Sequence, residues 1–324
     1  MNSVFLDLAT VDAGDLDLAA LRAAAPQLVT HGSTTVAQLP LRLRGADIVL
    51  VNKLRITREH LQQAGSVKLI ALAATGTNNI NLQAASEMGI GVCNIRDYCT
   101  PSVAQHVLGA ILYLTHHFRG YSDLALDGSW AASPQFTLLN LPVRELRGCV
   151  LGIVGYGVLG QAVAKICETA LGMRVQVAVR PGTTAVDGMN SSVPRLPLHE
   201  LLACADVLSL HCPLTPATEN LLGAAQLALM KSAAIIVNTA RGGLIDSAAL
   251  AQALRARRIG GAAIDVLPQE PPVDGNPLLA AGLPNLLLTP HVAWAARESR
   301  QRCLDEMAAN IRDFLAGGRR GRVA

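Results

Sequence analysis

The stretch that most constrains this chain is Leu151-Gly152-Ile153-Val154-Gly155-Tyr156-Gly157-Val158-Leu159-Gly160. An apolar run of strand length enters a G-x-G-x-x-G turn, and a helix-like segment leaves it. Gly155 permits the tight turn, Gly157 lets the backbone approach a pyrophosphate, and Gly160 lets helix and strand pack closely. The amides that open the helix, at Val158 and Leu159, then suit a phosphate. Alone the hexapeptide is a weak signal. Between a strand and a helix it points to dinucleotide binding and to a parallel sheet covered by helices.

The surrounding pattern agrees. From Cys149 onward, short apolar runs at Val150–Val154, Arg174–Val179, Asp206–Leu210, Ala234–Asn238, Ala262–Val266 and Leu286–Leu288 alternate with helical segments. These include Val158–Ala170 and Ser247–Arg257, the latter with Asp246 as N-cap. Strands apolar on both faces are the mark of a doubly wound α/β sheet. A smaller alternation fills the first 95 residues. Strands are expected at Phe5–Leu8, Ile48–Val51, Lys68–Ala71 and Gly91–Cys93, and helices at Leu16–Ala25, Thr57–Ala64 and Leu82–Met88. A long helix is expected over Ser102–Leu126, ending near Gly128, and a final one over about Glu298–Leu315. No strand follows, so the chain returns to its first domain. That gives 1–99 as the first part of one domain, 100–290 as the dinucleotide domain, and 291–324 as the return. Two crossings would leave a hinged cleft, a preferred ligand site.

Composition sets limits on function. A length of 324 residues suits two domains, and 51% hydrophobic residues exclude disorder. No run approaches 18 apolar residues, and Met1-Asn2-Ser3-Val4-Phe5 lacks the basic and apolar regions of a signal peptide, so neither a membrane nor export is expected. A net charge of +3 gives no reason to expect nucleic acid. The basic run Arg319-Arg320-Gly321-Arg322 reads as a solvated tail. Seven scattered cysteines without a Cys-x-x-Cys suggest reduced thiols, no metal and a cytoplasmic protein.

Three late strands each deliver an ionisable residue to the carboxyl end of the sheet, where such folds bind ligands. Ile235–Asn238 leads to Thr239-Ala240-Arg241, Ala262–Val266 carries Asp265 and leads to Glu270, and Leu286–Leu288 leads to His291. Arg can hold a carboxylate in a fork, and His can supply or remove an alcohol proton near its ordinary pKa of about 6.5. A carboxylate on the imidazole would orient it. The set suggests carbonyl reduction. The strand after the glycine turn ends Val179-Arg180-Pro181-Gly182, without the Asp or Glu that holds an NAD ribose; the next carboxylate is Asp187. Arg180 is either an ordinary surface residue or the partner of a 2′-phosphate, so the cofactor is NADP(H) or NAD(H), with NADPH favoured.

An ordered set of motifs runs almost the whole length: Ala74-Thr75-Gly76-Thr77-Asn78-Asn79-Ile80, Thr100-Pro101-Ser102-Val103-Ala104, the glycine turn, His211-Cys212-Pro213-Leu214-Thr215, Asn238-Thr239-Ala240-Arg241-Gly242, Gly261-Ala262-Ala263-Ile264-Asp265-Val266, Glu270-Pro271-Pro272 and Thr289-Pro290-His291. On these the chain resembles the D-isomer-specific 2-hydroxyacid dehydrogenases. Within them it is most similar to the glycerate dehydrogenase/hydroxypyruvate reductase group, on Val103-Ala104-Gln105-His106, Ser133-Pro134-Gln135-Phe136 and Val292-Ala293-Trp294-Ala295. The resemblance implies a Rossmann cofactor domain inserted into a smaller flavodoxin-like substrate domain, a homodimer, and reduction of hydroxypyruvate or glyoxylate to the D-2-hydroxy acid. It implies Arg241 on the substrate carboxylate, His291 as acid/base and Glu270 as its partner. Gly155, Gly157, Val158, Leu159, Gly160, Arg180, His211, Cys212, Pro213, Thr218, Thr239, Ala240, Asp265 and Val103 fall to the cofactor. Lys53, Thr75, Gly76 and Trp294 join Arg241 and His291 on the substrate. Gln105 replaces a Glu common in other branches, and Arg55 beside Lys53 either favours a more acidic substrate or faces solvent. The alternatives are a dehydrogenase for phosphoglycerate or a bulkier 2-keto acid, and a dinucleotide-sensing corepressor-like protein on the same scaffold.

Overall fold

The twelve strands form two parallel sheets in a computed structural model that describes residues 1–180, 193, 195–279 and 282–324. The chain divides into one unit of Met1–Cys99 with Trp294–Ala324, and a second of Thr100–Ala293.

The smaller unit holds β1 (Ser3–Phe5), β2 (Leu28–Thr30), β3 (Ile48–Val51), β4 (Leu69–Leu72) and β5 (Gly91–Cys93). Their order is β2-β1-β3-β4-β5, so chain direction across the sheet reverses between β1 and β3. Every residue of β3 and β4 is buried, as expected of a sheet covered on both faces. One face packs on Leu39, Leu43, Leu61 and Ala84. The other takes Leu21 together with Cys303, Leu304, Met307 and Ile311 of the last helix, Arg297–Leu315. The first strand ends earlier than the expected Phe5–Leu8, because Leu8–Thr10 closes a 3-10 turn in which the Thr10 hydroxyl donates to the Asp7 carbonyl at 2.7 Å. Strand β2 was not expected. It is an edge strand with Val29 55% exposed, so it lacks the buried run that marks its neighbours.

The basic run at 319–322 is not a solvated tail. Gly321 accepts from the Asn94 amide at 2.9 Å, and Val323 donates to Val92 at 2.8 Å, so the chain runs antiparallel along edge strand β5. Arg320 pairs with Glu306 at 2.7 Å, and the Arg322 guanidinium lies 5.9 Å from the Phe314 ring centroid. A covered edge cannot recruit another strand.

The larger unit holds β6 (Val150–Val154), β7 (Arg174–Ala178), β8 (Arg195–Leu196), β9 (Val207–Leu210), β10 (Ile235–Asn238), β11 (Gly261–Ile264) and β12 (Leu286–Leu288). Their order is β12-β11-β10-β9-β6-β7-β8, with the reversal between β6 and β9. The Asp246 side chain caps Ser247–Arg255 by accepting from Ala248 and Ala249 at 2.9 and 3.1 Å. The single helix expected over Ser102–Leu126 is two helices, Thr100–Thr115 and Phe118–Leu126. His117 between them takes φ +50°, a left-handed conformation that ends a helix, and the Thr115 hydroxyl donates back to the Ile111 carbonyl at 2.9 Å. Among the described residues, no helix is long and apolar enough to cross a membrane, and no cluster of His, Cys, Asp and Glu could hold a metal.

Candidate active site

The glycine turn sits at the reversal point of the larger sheet. Gly155 has φ +96°, and a Cβ there would lie 2.5 Å from the Cys212 nitrogen and 2.7 Å from the His211 carbonyl oxygen. A Cβ on Gly160 would lie 2.1 Å from the Gly155 carbonyl oxygen. Both glycines are therefore demanded by close backbone packing, Gly155 against the end of β9 and Gly160 within the turn. Gly157 differs: a Cβ there meets nothing within 4 Å. It is the N-cap of helix Val158–Leu171 in an extended conformation, and no side chain caps the helix. Val158 is 53% exposed and Leu159 partly so. Uncapped opening amides beside open space fit a pyrophosphate.

The end of β9 forms the other wall of this turn. The His211 amide donates to the Val154 carbonyl at 2.7 Å, and its Nε2 lies 2.8 Å from the Ser209 hydroxyl. Burial pushes the imidazole down to about 4, so it is neutral at pH 7. Cys212 is buried and Pro213 exposed. Thr218 is buried: its hydroxyl donates to the Pro213 carbonyl at 2.7 Å and accepts from the Thr215 amide at 2.8 Å, so it shapes the 213–218 turn. Val103 is buried on the helix Thr100–Thr115. Arg180 is exposed just beyond β7, where the Val179 amide donates to Leu196. Pro181, Gly182 and Asp187 lie outside the described residues.

The ends of β10, β11 and β12 are wired to one another. Asn238, buried, accepts from the Ala240 amide at 3.0 Å and donates to the Arg241 carbonyl at 2.9 Å, fixing the turn that carries Arg241. The Arg241 Nη1 donates to the Ala240 carbonyl at 2.7 Å. The Thr239 hydroxyl is buried without a hydrogen-bond partner, an opening for a ribose or water. A Cβ on Gly242 would lie 2.0 Å from the Leu267 carbonyl carbon, so only glycine lets the Arg241 turn meet the segment after β11. Glu270 closes that segment by accepting from the Leu267 amide at 2.8 Å through Oε1. Its Oε2 lies 2.6 Å from His291 Nδ1. With Nδ1–H donating to the carboxylate, Nε2 is left as the nitrogen that exchanges protons. His291 itself is held at φ +56°, an uncommon conformation for a non-glycine residue and one that concentrates at working sites.

Asp265 holds this loop in place. Buried to 2% exposure, it accepts from the Thr289 hydroxyl at 2.6 Å, the Val292 amide at 2.9 Å and the Ala293 amide at 2.9 Å. Its backbone carbonyl also receives the His291 amide at 2.8 Å. The oxygens expected to meet the cofactor thus already serve the chain that presents His291.

In the smaller unit, Lys53 and Thr75 are exposed, with Gly76 and Trp294 partly so; Arg55 is exposed. The Lys53 ammonium lies 5.9 Å from the Trp294 ring centroid, and Tyr98 meets the same indole edge-on at 6.3 Å. The Thr75 carbonyl accepts from the buried Asn94 side chain at 2.7 Å. Sequence alone gave no role to Asn238, Gly242 or Asn94. For Gly242 the signal was the Gly-Gly pair after Arg241. The other two act through contacts that no local pattern carries.

Comparison with known proteins places this geometry in a family. The profile "D-isomer specific 2-hydroxyacid dehydrogenase, NAD binding domain" matches residues 108–293. The chain is 45% identical over 284 residues to the glycerate dehydrogenase of Methylorubrum extorquens, covering 87% of each chain. It is 36% identical over 319 residues to the hydroxypyruvate reductase of Blautia hydrogenotrophica, covering 98% of each. Among solved structures, an acyclic imino acid reductase in complex with NADPH and D-Arg superposes with a TM-score of 0.85 at 26% identity, over the full length of both chains. This chain therefore uses a nicotinamide dinucleotide and a small hydroxy or keto acid, and it belongs to the D-isomer specific 2-hydroxyacid dehydrogenase family.

Proposed function

We propose that the protein is a hydroxypyruvate/glyoxylate reductase that forms the D-2-hydroxy acid, with NADPH used at least as well as NADH. The Glu270–His291 pair at 2.6 Å, joined through Gly242 packing to the Arg241 turn, carries this reading. A nicotinamide held at this site would supply the hydride. Arg241 clamps the substrate carboxylate and aligns the keto group, and His291 Nε2 delivers the proton to the carbonyl oxygen. Glu270 holds the imidazole ring in register. Asp265 acts by fixing the His291 loop. On the cofactor side, Gly155, Gly157, Val158, Leu159 and Gly160 take the pyrophosphate, with Thr239 and Ala240 toward a ribose. Thr218 and Cys212 support that wall from within. On the smaller unit, Lys53, Thr75, Gly76 and Trp294 are assigned to the substrate. The names of the Methylorubrum and Blautia relatives support the choice of substrate.

Steady-state reduction of hydroxypyruvate and glyoxylate tests the assignment directly. His291→Ala should lower turnover by about 10²–10⁴. Near-wild-type rates in that variant, or no turnover of either acid by the wild type, would overturn it. Arg180 supports the cofactor preference. A charge-assisted bond to a 2′-phosphate is worth roughly 1.5–3 kcal/mol, and its exposure pulls the gain toward about tenfold. The NADPH/NADH ratio of kcat/KM should fall by that factor in Arg180→Ala; a ratio the mutation leaves unmoved removes Arg180 from the cofactor. Homodimer formation is supported by the apolar surface of the segment after Thr115, where Leu126, Trp130, Phe136 and Leu139 are 84, 51, 94 and 84% exposed. Sedimentation would settle it. The cytoplasm as compartment rests on seven cysteines with no disulfide.

A further inference from the structure

The reversal point of the smaller sheet lies between β1 and β3, and in sheets of this type ligands bind just beyond the strand ends at that point. Here the position is filled from within. Asp7 follows β1 and is 3% exposed. Its carboxylate accepts three backbone amides from the segment after β3: Asn52 at 2.8 Å on Oδ1, and Lys53 at 2.7 Å and Leu54 at 3.2 Å on Oδ2. Two carbonyls of the same segment are held by Asn79, whose Nδ2 donates to Asn52 at 3.2 Å and to Leu54 at 3.0 Å. All three amides and two of the three carbonyls of consecutive residues are thus held. The middle residue, Lys53, is the exposed one, with its ammonium 5.9 Å from the Trp294 ring centroid.

We propose that Asp7 is a positioning residue for substrate specificity: its carboxylate gathers the 52–54 amides and thereby sets Lys53 over Trp294, where the ammonium meets the polar group at C3 of the substrate. This rests on the assignment of Lys53 to the substrate. A buried carboxylate is costly unless its oxygens are met by donors, and three amides meet that need while fixing the loop. A flexible Lys stem on an unfixed loop would spread its charge over many positions. A loop so fixed presents that charge at one position.

A double-mutant cycle on the full-length enzyme, assayed with hydroxypyruvate and glyoxylate, separates this from a merely structural role. Lys53→Met should raise KM for hydroxypyruvate about tenfold and lower the preference for it over glyoxylate, which lacks C3, by a similar factor. Asp7→Asn should raise the same KM about three- to tenfold, and should add nothing in the Lys53→Met background. Asn79→Ala attacks the carbonyl side of the grip and should reproduce the pattern even where Asp7→Asn folds poorly. Full additivity, or equal effects on both acids, would overturn the positioning role. An unchanged KM in Lys53→Met would overturn the substrate assignment instead, with the His291 result still standing.

Discussion

The two sheets reverse direction by the same rule and use the reversal point in opposite ways. Between β6 and β9 the point is stripped of side chains: Gly155 and Gly160 pack backbone on backbone, Gly157 borders open space, and the neighbouring His211 is kept neutral by burial. Between β1 and β3 it is filled by the Asp7 carboxylate, which binds three amides of its own chain. The larger sheet leaves helix-opening amides without a side-chain cap; the smaller one satisfies its amides internally and carries an exposed side chain, Lys53, on the segment so held. A site for a large anion is built from main-chain donors. On the proposed role of Lys53, a site that grades small acids is built from a positioned cation.

The largest effect should come from filling the larger reversal point. Gly160→Ala sets a methyl 2.1 Å from the Gly155 carbonyl, and neither backbone can give way cheaply. The variant should lose about 3 kcal/mol or more, a Tm lower by roughly 6–12 °C, along with cofactor binding. A Tm equal to wild type would show that the packing is looser than the geometry requires.

His211 should give the next effect, as a slope in stability against pH. Its folded pKa of about 4 lies below the ordinary 6.5 because burial disfavours the imidazolium. Above pH 6.5 both states are neutral and stability is undiminished. Between 6.5 and 4 the unfolded chain takes up a proton that the folded one refuses, so stability falls as pH falls, by on the order of 3 kcal/mol. Below 4 the loss is complete. His211→Gln keeps a partner for Ser209 and does not titrate. The difference between urea midpoints of wild type and variant should therefore change between pH 7.5 and 4.5; a constant difference would mean that the folded ring protonates normally.

What was legible in the sequence follows the same division. The glycine turn and the late strand ends could be read because they are local: a strand, a special residue, a helix, within ten positions. The buried runs at Val150–Val154 and Ile235–Asn238 announce themselves by composition. Half-exposed β2 and two-residue β8 do not, and the break at His117 depends on one backbone angle. Asp265 was legible as a residue of interest, but its bonds to 289–293 span 24–28 positions and could not be read. Asp7 was illegible, since an Asp after a strand is commonplace and its partners lie 45–47 residues on.

The smallest expected effect bears most directly on the contrast. Gly157 is the one glycine of the turn that the protein itself does not require: its φ of −83° suits any residue, and a Cβ there meets no atom within 4 Å. Gly157→Ala should leave the Tm nearly unchanged, because the narrower unfolded ensemble of alanine offsets its weaker preference for an N-cap. If the open space is where the pyrophosphate lies, the added methyl must instead push against the ligand. The KM for the dinucleotide should then rise about tenfold, near 1.4 kcal/mol, while the substrate KM at saturating cofactor stays put. A lowered Tm would mean that the glycine serves the fold, as its two neighbours do. An unchanged cofactor KM would mean that the phosphates lie elsewhere, and the reading of an open reversal point would fail with it.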